Sequence, residues 1–447
     1  MANMIFKQKK IGVISLGCDK NRVDTEKMLA ILGAENITND IETAEIIVIN
    51  SCAFLENARK EAIETVFDCN EYRRDGKLEK LVLTGCLPQE FISELFEELT
   101  EVDVFLGIND YELLPEAIEL AYNGERVNFV GKKEKVEKIE RVVTTPLHYA
   151  YLKIADGCNN FCTYCLIPKI RGRYRSEKIQ TLLSEAENLG DVEELILVAQ
   201  DVTRYGVDLY GKPEITRLIQ ELSKLDNIKS IRLLYCYPDM ITDELIDEIT
   251  KNEKVIKYVD MPLQHADDTV LKRMNRKGTA SEYLALIEKL RAKIPNIAIR
   301  STFIAGFPGE TEEQFFNLVD FLKSARLTNA GFFAYSKEEG TPSYNFDGQI
   351  DEEIKVKRVE TLYAVQKHIS RLYLKSFIGK TIEVLADGID YEKQAFYGRS
   401  YLSAPEIDGV VYFNSDGDIN QGERYLVKIT KADAYDLYGG VVDEFTE

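Results

Sequence analysis

Three cysteines, Cys158, Cys162 and Cys165, stand within eight residues in the run Asp156-Gly157-Cys158-Asn159-Asn160-Phe161-Cys162-Thr163-Tyr164-Cys165. The spacing is C-x-x-x-C-x-x-C, just after the strand-like segment YLKIA. Zinc sites normally supply four ligands, commonly as paired C-x-x-C units, and no fourth cysteine or histidine is near. Thiolates suit an iron–sulfur cluster, and three of them on a four-iron cube leave one iron free. An open metal position is where a substrate binds. Gly157 lets the loop wrap something compact. A structural zinc or a chance group of buried thiols is the competing reading.

A second group of cysteines is dispersed. Cys18, Cys52 and Cys86 are separated by 34 residues each, and each closes a short β-rich run: IGVISLG, EIIVINS and KLVLTG. Local spacing cannot hold a metal over that distance, but a parallel sheet can bring three strand ends to one edge. Three thiolates there would again ligate a [4Fe–4S] cube with an open iron. Three buried cysteines acting as small hydrophobes are the alternative. Cys69 and Cys236 belong to neither group and read as packing residues.

The elements that must position these groups fall into three segments. Over 8–125 the β-rich runs alternate with amphipathic stretches such as 23–32 and 58–67, followed by VDVFLG and a helical stretch over 111–122. This order predicts an α/β unit with a Rossmann-like parallel sheet, whose ligand edge is the carboxyl end of its strands. The charged stretch 131–141 reads as a solvated linker. Over 144–374, YLKIA, LILVAQ, SIRLLY, IKYVDM, AIRSTF and AGFFAY are six strand candidates separated by helical stretches, ending in a strongly periodic helix over 351–376. Six such units predict a partial (β/α)6 TIM-like barrel with its site at the carboxyl ends of the strands. Over 376–447 short strands and Gly/Asp turns predict a small all-β, OB-like barrel of about five strands.

The totals agree with this division. A chain of 447 residues is too long for one ordinary core. Its 45% hydrophobic and 30% charged residues describe a globular protein, and no apolar run approaches the roughly 18 residues of a membrane span. The opening MANMIFKQKKIGVISLGC is too short before its first strand for a signal peptide, so a cytoplasmic protein with unpaired thiols and no membrane contact is expected. The net charge of −20 repels a phosphate backbone, and direct nucleic-acid binding is not expected.

On these residues the chain resembles the radical S-adenosylmethionine superfamily, whose signature is a three-cysteine loop after the first barrel strand. The resemblance implies that S-adenosylmethionine chelates the free iron and breaks at its sulfonium to give a deoxyadenosyl radical. It implies cofactor contacts from Tyr164, the aromatic before the last cysteine, and from Gln200 in Ala199-Gln200-Asp201. Gln264, in Asp260-Met261-Pro262-Leu263-Gln264-His265, falls where ribose contacts are expected. Arg300, which opens Arg300-Ser301-Thr302-Phe303-Ile304-Ala305-Gly306-Phe307-Pro308-Gly309-Glu310-Thr311, has the chemistry to pair with the methionine carboxylate.

With the upstream cysteines and the terminal barrel, the resemblance narrows to the methylthiotransferase family, which joins a three-cysteine amino-terminal domain, a radical core and a TRAM barrel. It implies a second [4Fe–4S] cluster on Cys18, Cys52 and Cys86 that carries or receives the inserted sulfur. It also implies two S-adenosylmethionine molecules, one a methyl donor and one a radical source, with an external reductant and a sulfur donor.

That family divides between enzymes acting on tRNA adenosines and enzymes acting on an aspartate of small-subunit ribosomal protein S-twelve. Ser15-Leu16-Gly17-Cys18-Asp19-Lys20-Asn21-Arg22-Val23-Asp24 is similar to the SLGCPKN-type opening of the second branch, with Asp19 in place of its Pro. The run 166–176, LIPKIRGRYRS, is similar to its IIPKIRG-type segment, although Glu177-Lys178 replace the Arg-Pro that often follows. Asp433-Ala434-Tyr435-Asp436-Leu437-Tyr438-Gly439 resembles its ending. The last feature is physical: six Lys/Arg against fourteen Asp/Glu over 376–447 give the small barrel a net charge of −8. A barrel that grips tRNA should be basic, whereas this one suits a basic ribosomal protein. Tyr397, Tyr401, Tyr412 and Tyr435 read as half-buried strand residues rather than base-stacking platforms. The expected activity is β-methylthiolation of an aspartate of S-twelve. A tRNA adenosine methylthiotransferase and a non-catalytic iron–sulfur protein are the alternatives.

Overall fold

A computed structural model describes residues 5–134, 136 and 139–442. The first unit is a parallel sheet of β1 (Ile11–Ser15), β2 (Ile37–Thr38), β3 (Ile46–Ser51), β4 (Lys80–Gly85), β5 (Val104–Leu106) and β6 (Val127–Phe129), ordered β2-β1-β3-β4-β5-β6. β3 is buried at every position, as a central strand covered on both faces must be. Crossovers are made by α1 (Asp19–Leu32), α2 (Glu56–Asp75) and α3 (Cys86–Glu98), with α4 (Leu114–Tyr122) before the edge strand. The edge strands β2 and β6 escape the sequence pattern because two or three residues carry no periodicity.

The second unit holds β7 (Tyr149–Lys153), a short antiparallel pair of β8 (Ala155–Asp156) and β9 (Arg175–Ser176), then β10 (Glu194–Val198), β11 (Ile231–Leu233), β12 (Val255–Asp260), β13 (Ala298–Ala305) and β14 (Asn329–Ala334). Six of these form a parallel sheet in the order β14-β13-β12-β11-β10-β7, the open (β/α)6 arrangement. Side chains alternate across it, as a strand's period of two requires. Ala150, Leu152, Leu195 and Leu197 pack under the helices, whereas Tyr149, Tyr151, Ile196 and Val198 face the other way.

That second face is covered by the carboxy-terminal unit, a closed barrel ordered β15-β16-β17-β19-β18, made of β15 (Thr381–Asp390), β16 (Ala395–Arg399), β17 (Val411–Asn414), β18 (Arg424–Ala432) and β19 (Leu437–Val441). Leu402, Ala404 and Phe413 share one core with Tyr149, Val198 and Ala298. A buried ion network pins the contact: Glu194 of β10 accepts from Arg232 of β11 and Arg399 of β16, and Arg399 reaches Asp387 at 2.9 Å. Burial pushes the Glu194 carboxyl up, but Arg232 and Arg399 outweigh it and hold it at about 2.

The stretch read as a solvated linker keeps Gly131, Lys132, Glu134 and Glu140 exposed, but its last residue, Arg141, departs from that expectation. Residues 135, 137 and 138 of it lie outside the described residues. The Arg141 side chain is buried, pairing with Glu26 of α1 at 3.2 Å and Glu185 at 3.3 Å while donating to the Tyr151 carbonyl at 2.6 Å. A charge placed between two domains finds its partners in tertiary contacts that its neighbours in sequence do not reveal.

Candidate active site between two cysteine triads

The antiparallel pair β8–β9 pinches off the loop that carries Cys158, Cys162 and Cys165. Gly157 begins it at φ +75°, where a Cβ would stand 2.3 Å from the Arg173 carbonyl oxygen, so only glycine lets the two sides approach. The Cys158 amide closes the loop onto the Gly172 carbonyl at 3.1 Å. Donors converge on the sulfurs. The Asn160 amide lies 3.4 Å from Cys158 Sγ and the Ile167 amide 3.4 Å from Cys165 Sγ. Cys162 Sγ is 3.7 Å from Tyr237 Oη and 3.9 Å from Arg276 Nη1. Burial pushes the Cys158 thiol up to about 11, with the Asn160 amide opposing and Cys162 adding to the rise. A bound cation reverses that balance, and the donors are already placed for thiolates.

The upstream cysteines meet because β1, β3 and β4 are sheet neighbours. Cys86 is the first residue of α3 and Cys52 follows β3 directly, but Cys18 lies past the end of β1, at the amino-terminal cap of α1. Gly17, at φ +101°, passes so close that a Cβ would lie 2.9 Å from Cys52 Cβ and 3.4 Å from its sulfur. Asn21 Oδ1 stands between two of the sulfurs, 3.7 Å from Cys18 and 3.9 Å from Cys86. Burial pushes the Cys86 thiol up to about 12 while Arg171 pulls it down.

Among the described residues no three His, Cys, Asp or Glu side chains gather tightly enough to hold a single metal ion. A four-iron cube spreads its ligands over separate corners, so three thiols per site with backbone donors on the sulfurs fit a cluster better than a lone ion.

Arg171 joins the two sites. It is carried by the segment after Cys165, is buried, and donates to Asn21 Oδ1 at 2.6 Å, to Asp156 at 2.9 Å and to Cys86 Sγ at 3.6 Å. Asp24 of α1 lies 3.4 Å away and also accepts from Lys153. Nothing local in the run 166–176 marks Arg171 for this role, because its sulfur partner lies 85 positions earlier.

The four residues expected to touch S-adenosylmethionine lie around the strand ends of the second unit. Gln200 donates to Asp156 at 3.3 Å and keeps its Oε1 buried without a partner among the described residues, an acceptor suited to an ammonium group. Gln264 adopts φ +74° and bridges to Phe303. Tyr164 is half-buried against Val270, Met274, Phe307 and Tyr335. Arg300 is already paired, 3.0 Å from Asp260 and 3.3 Å from Asp408. Asp408 comes from the carboxy-terminal unit, accepts from the Tyr258 hydroxyl at 2.7 Å, and was invisible in the sequence. His265 is buried, its Nδ1 accepting from the Asp267 amide at 3.0 Å and its Nε2 3.4 Å from Glu310.

Cys69 and Cys236 are buried in the apolar cores of the first and second units. Tyr397, Tyr401 and Tyr412 are half-buried, but Tyr435 is 51% exposed, contrary to expectation, because it sits in the turn that Asp433 caps rather than in a strand.

Three family models match: the uncharacterized protein family UPF0004 over residues 10–107, the radical SAM superfamily over 152–322 and the TRAM domain over 378–442. Curated relatives align over nearly the whole chain. A Thermoanaerobacter sp. (strain X514) protein named ribosomal protein uS12 methylthiotransferase RimO is 48% identical, with 96% of this chain and 99% of that protein covered. A Clostridium botulinum (strain Hall) protein of the same name is 45% identical, with 98% and 99% covered. Among solved structures, the radical S-adenosylmethionine methyltransferase TsrM from Kitasatospora setae, with cobalamin and a [4Fe–4S] cluster bound, superposes with a TM-score of 0.54 at 14% identity over 75% of this chain and 77% of that one. That likeness is one of fold.

Proposed function

The chain belongs to the ribosomal protein uS12 methylthiotransferase family, and from that membership we propose how its residues serve the reaction. The enzyme is a radical S-adenosylmethionine methylthiotransferase that places a methylthio group on the β-carbon of an aspartate of uS12, using two S-adenosylmethionine molecules and [4Fe–4S] clusters. Cys158, Cys162 and Cys165 hold one cluster, and Cys18, Cys52 and Cys86 hold the other. When bound, these groups supply reductive cleavage of the sulfonium and a carried sulfur.

The chain's own residues do the rest. Gln200 Oε1 accepts from the methionine ammonium, and Tyr164 and Gln264 border the nucleoside. Arg300, steadied by Asp260 and Asp408, is available to the methionine carboxylate. The observation that carries the reading is Arg171, which ties the loop of one triad to a sulfur of the other and holds the two at fixed separation. An external reductant and a sulfur donor are required. No helix among the described residues is long and apolar enough to cross a membrane.

The test is to offer anaerobically reconstituted enzyme a peptide bearing the target aspartate and a tRNA anticodon stem. Mass spectrometry should find the methylthio group on the peptide; gain by the tRNA alone would overturn the reading. The tRNA alternative draws on Tyr391 and Tyr435, 84% and 51% exposed on the small barrel. Against it stands that barrel's net charge of −8.

A further inference from the structure

Lys20 is a buried cation that the roles above leave unexplained. Its ammonium is 3.0 Å from Asp19 Oδ1 and 3.4 Å from the centre of the Tyr235 ring. The Tyr235 hydroxyl also reaches Asp19 Oδ1, at 3.4 Å. Asp19 Oδ2 is buried and has no hydrogen-bond partner among the described residues. A buried ion pair is favourable only when its remaining polar atoms are satisfied, and here an oxygen is left over. The pair is therefore poorly explained as structural support.

Its position suggests another use. Lys20 follows Cys18 by two residues, and Tyr235 precedes by two residues Tyr237, whose hydroxyl lies 3.7 Å from Cys162 Sγ. Lys20 is thus a sequence neighbour of one triad, and its ring partner Tyr235 a sequence neighbour of a residue that touches the other. Asp19 both holds Lys20 and lines a cavity of about 510 Å³, together with Gly17, Cys18, Arg22, Thr144 and Glu406.

We propose that Lys20 and the Tyr235 hydroxyl form the site for the carboxylate of the substrate aspartate, and that Asp19 occupies it until the substrate arrives. This assignment rests on the reading of the substrate as an aspartate. The reacting β-carbon is one bond from the carboxylate carbon, so a cation that fixes the carboxylate also fixes the carbon from which hydrogen is removed. It also gives selectivity, since a neutral asparagine in its place lacks the charge to displace Asp19 from the ammonium.

Binding of a synthetic uS12 loop peptide and of its asparagine counterpart to the reconstituted holoenzyme tests this. The aspartate peptide should bind about tenfold tighter, the ratio a charge-assisted contact supports. Lys20→Met should erase that ratio by weakening the aspartate peptide alone, and Lys20→Arg should restore part of it. Asp19→Asn, which removes the occupying charge, should tighten the aspartate peptide several-fold and leave the asparagine peptide unchanged. A Lys20→Met enzyme that keeps the ratio overturns the assignment. So does an Asp19→Asn enzyme that binds no tighter, and this arm decides the matter where Lys20→Met fails to load iron. A native enzyme that neither binds nor modifies the aspartate peptide overturns the substrate reading and the Lys20 site together, whereas failure of the variants alone removes only the site.

Discussion

Arg171 Nη2 stands 3.6 Å from Cys86 Sγ, so a residue of the radical loop donates to a sulfur of the amino-terminal sheet. The same guanidinium meets Asp156 from its own unit and Asp24 from the other. Lys153 of the second unit meets the same two carboxylates, so both cations of this contact come from one unit and one of the two anions from the other.

Replacing Arg171 with Met should therefore cost about 3–5 kcal/mol, the usual penalty for stranding buried charges. Urea unfolding followed by circular dichroism measures it. The variant should also load less iron at the amino-terminal triad, read as iron per chain; full loading with native stability would show that Arg171 is dispensable.

The triads should be separable. Cys162→Ala should abolish formation of deoxyadenosine from S-adenosylmethionine together with product. Cys18→Ala should abolish methylthio transfer while deoxyadenosine still forms, and iron should fall from about eight to about four atoms per chain. Retention of sulfur insertion in Cys18→Ala would refute the upstream site.

Gly157→Ala tests the loop. A Cβ there would meet the Arg173 carbonyl oxygen at 2.3 Å on a backbone with φ +75°. The expected result is loss of the visible absorbance of one cluster with the other retained. A Gly211→Ala control also has positive φ but nothing within 4 Å, and should keep both.

Docking of the small barrel should depend on pH through Glu194. Its carboxyl is lowered from 4.5 to about 2 in the folded protein. A depressed carboxyl stabilises fully above its unfolded value, and that stability is lost as pH falls through the folded one. Stability should thus decline between about pH 4.5 and pH 2, by on the order of 3 kcal/mol. In Glu194→Gln the share of that slope due to this group should vanish, as measured by unfolding at a series of pH values.

The sequence by itself determined the three units, the two cysteine groups and the chemistry they imply. Periodicity of two and of 3.6 is a local property, and three thiols within eight residues need only one loop. It even placed Cys18, Cys52 and Cys86 at one sheet edge, because parallel βαβ connections leave few other arrangements. What only the tertiary structure decided is which charges face one another across the domains. Arg171 with Cys86, Asp408 with Arg300, Arg399 with Glu194 and Lys20 with Tyr235 join segments far apart in the chain. No spacing rule encodes such pairs. Each exists because burying a charge is costly without a partner, and the partner is whichever residue the packed fold brings within reach.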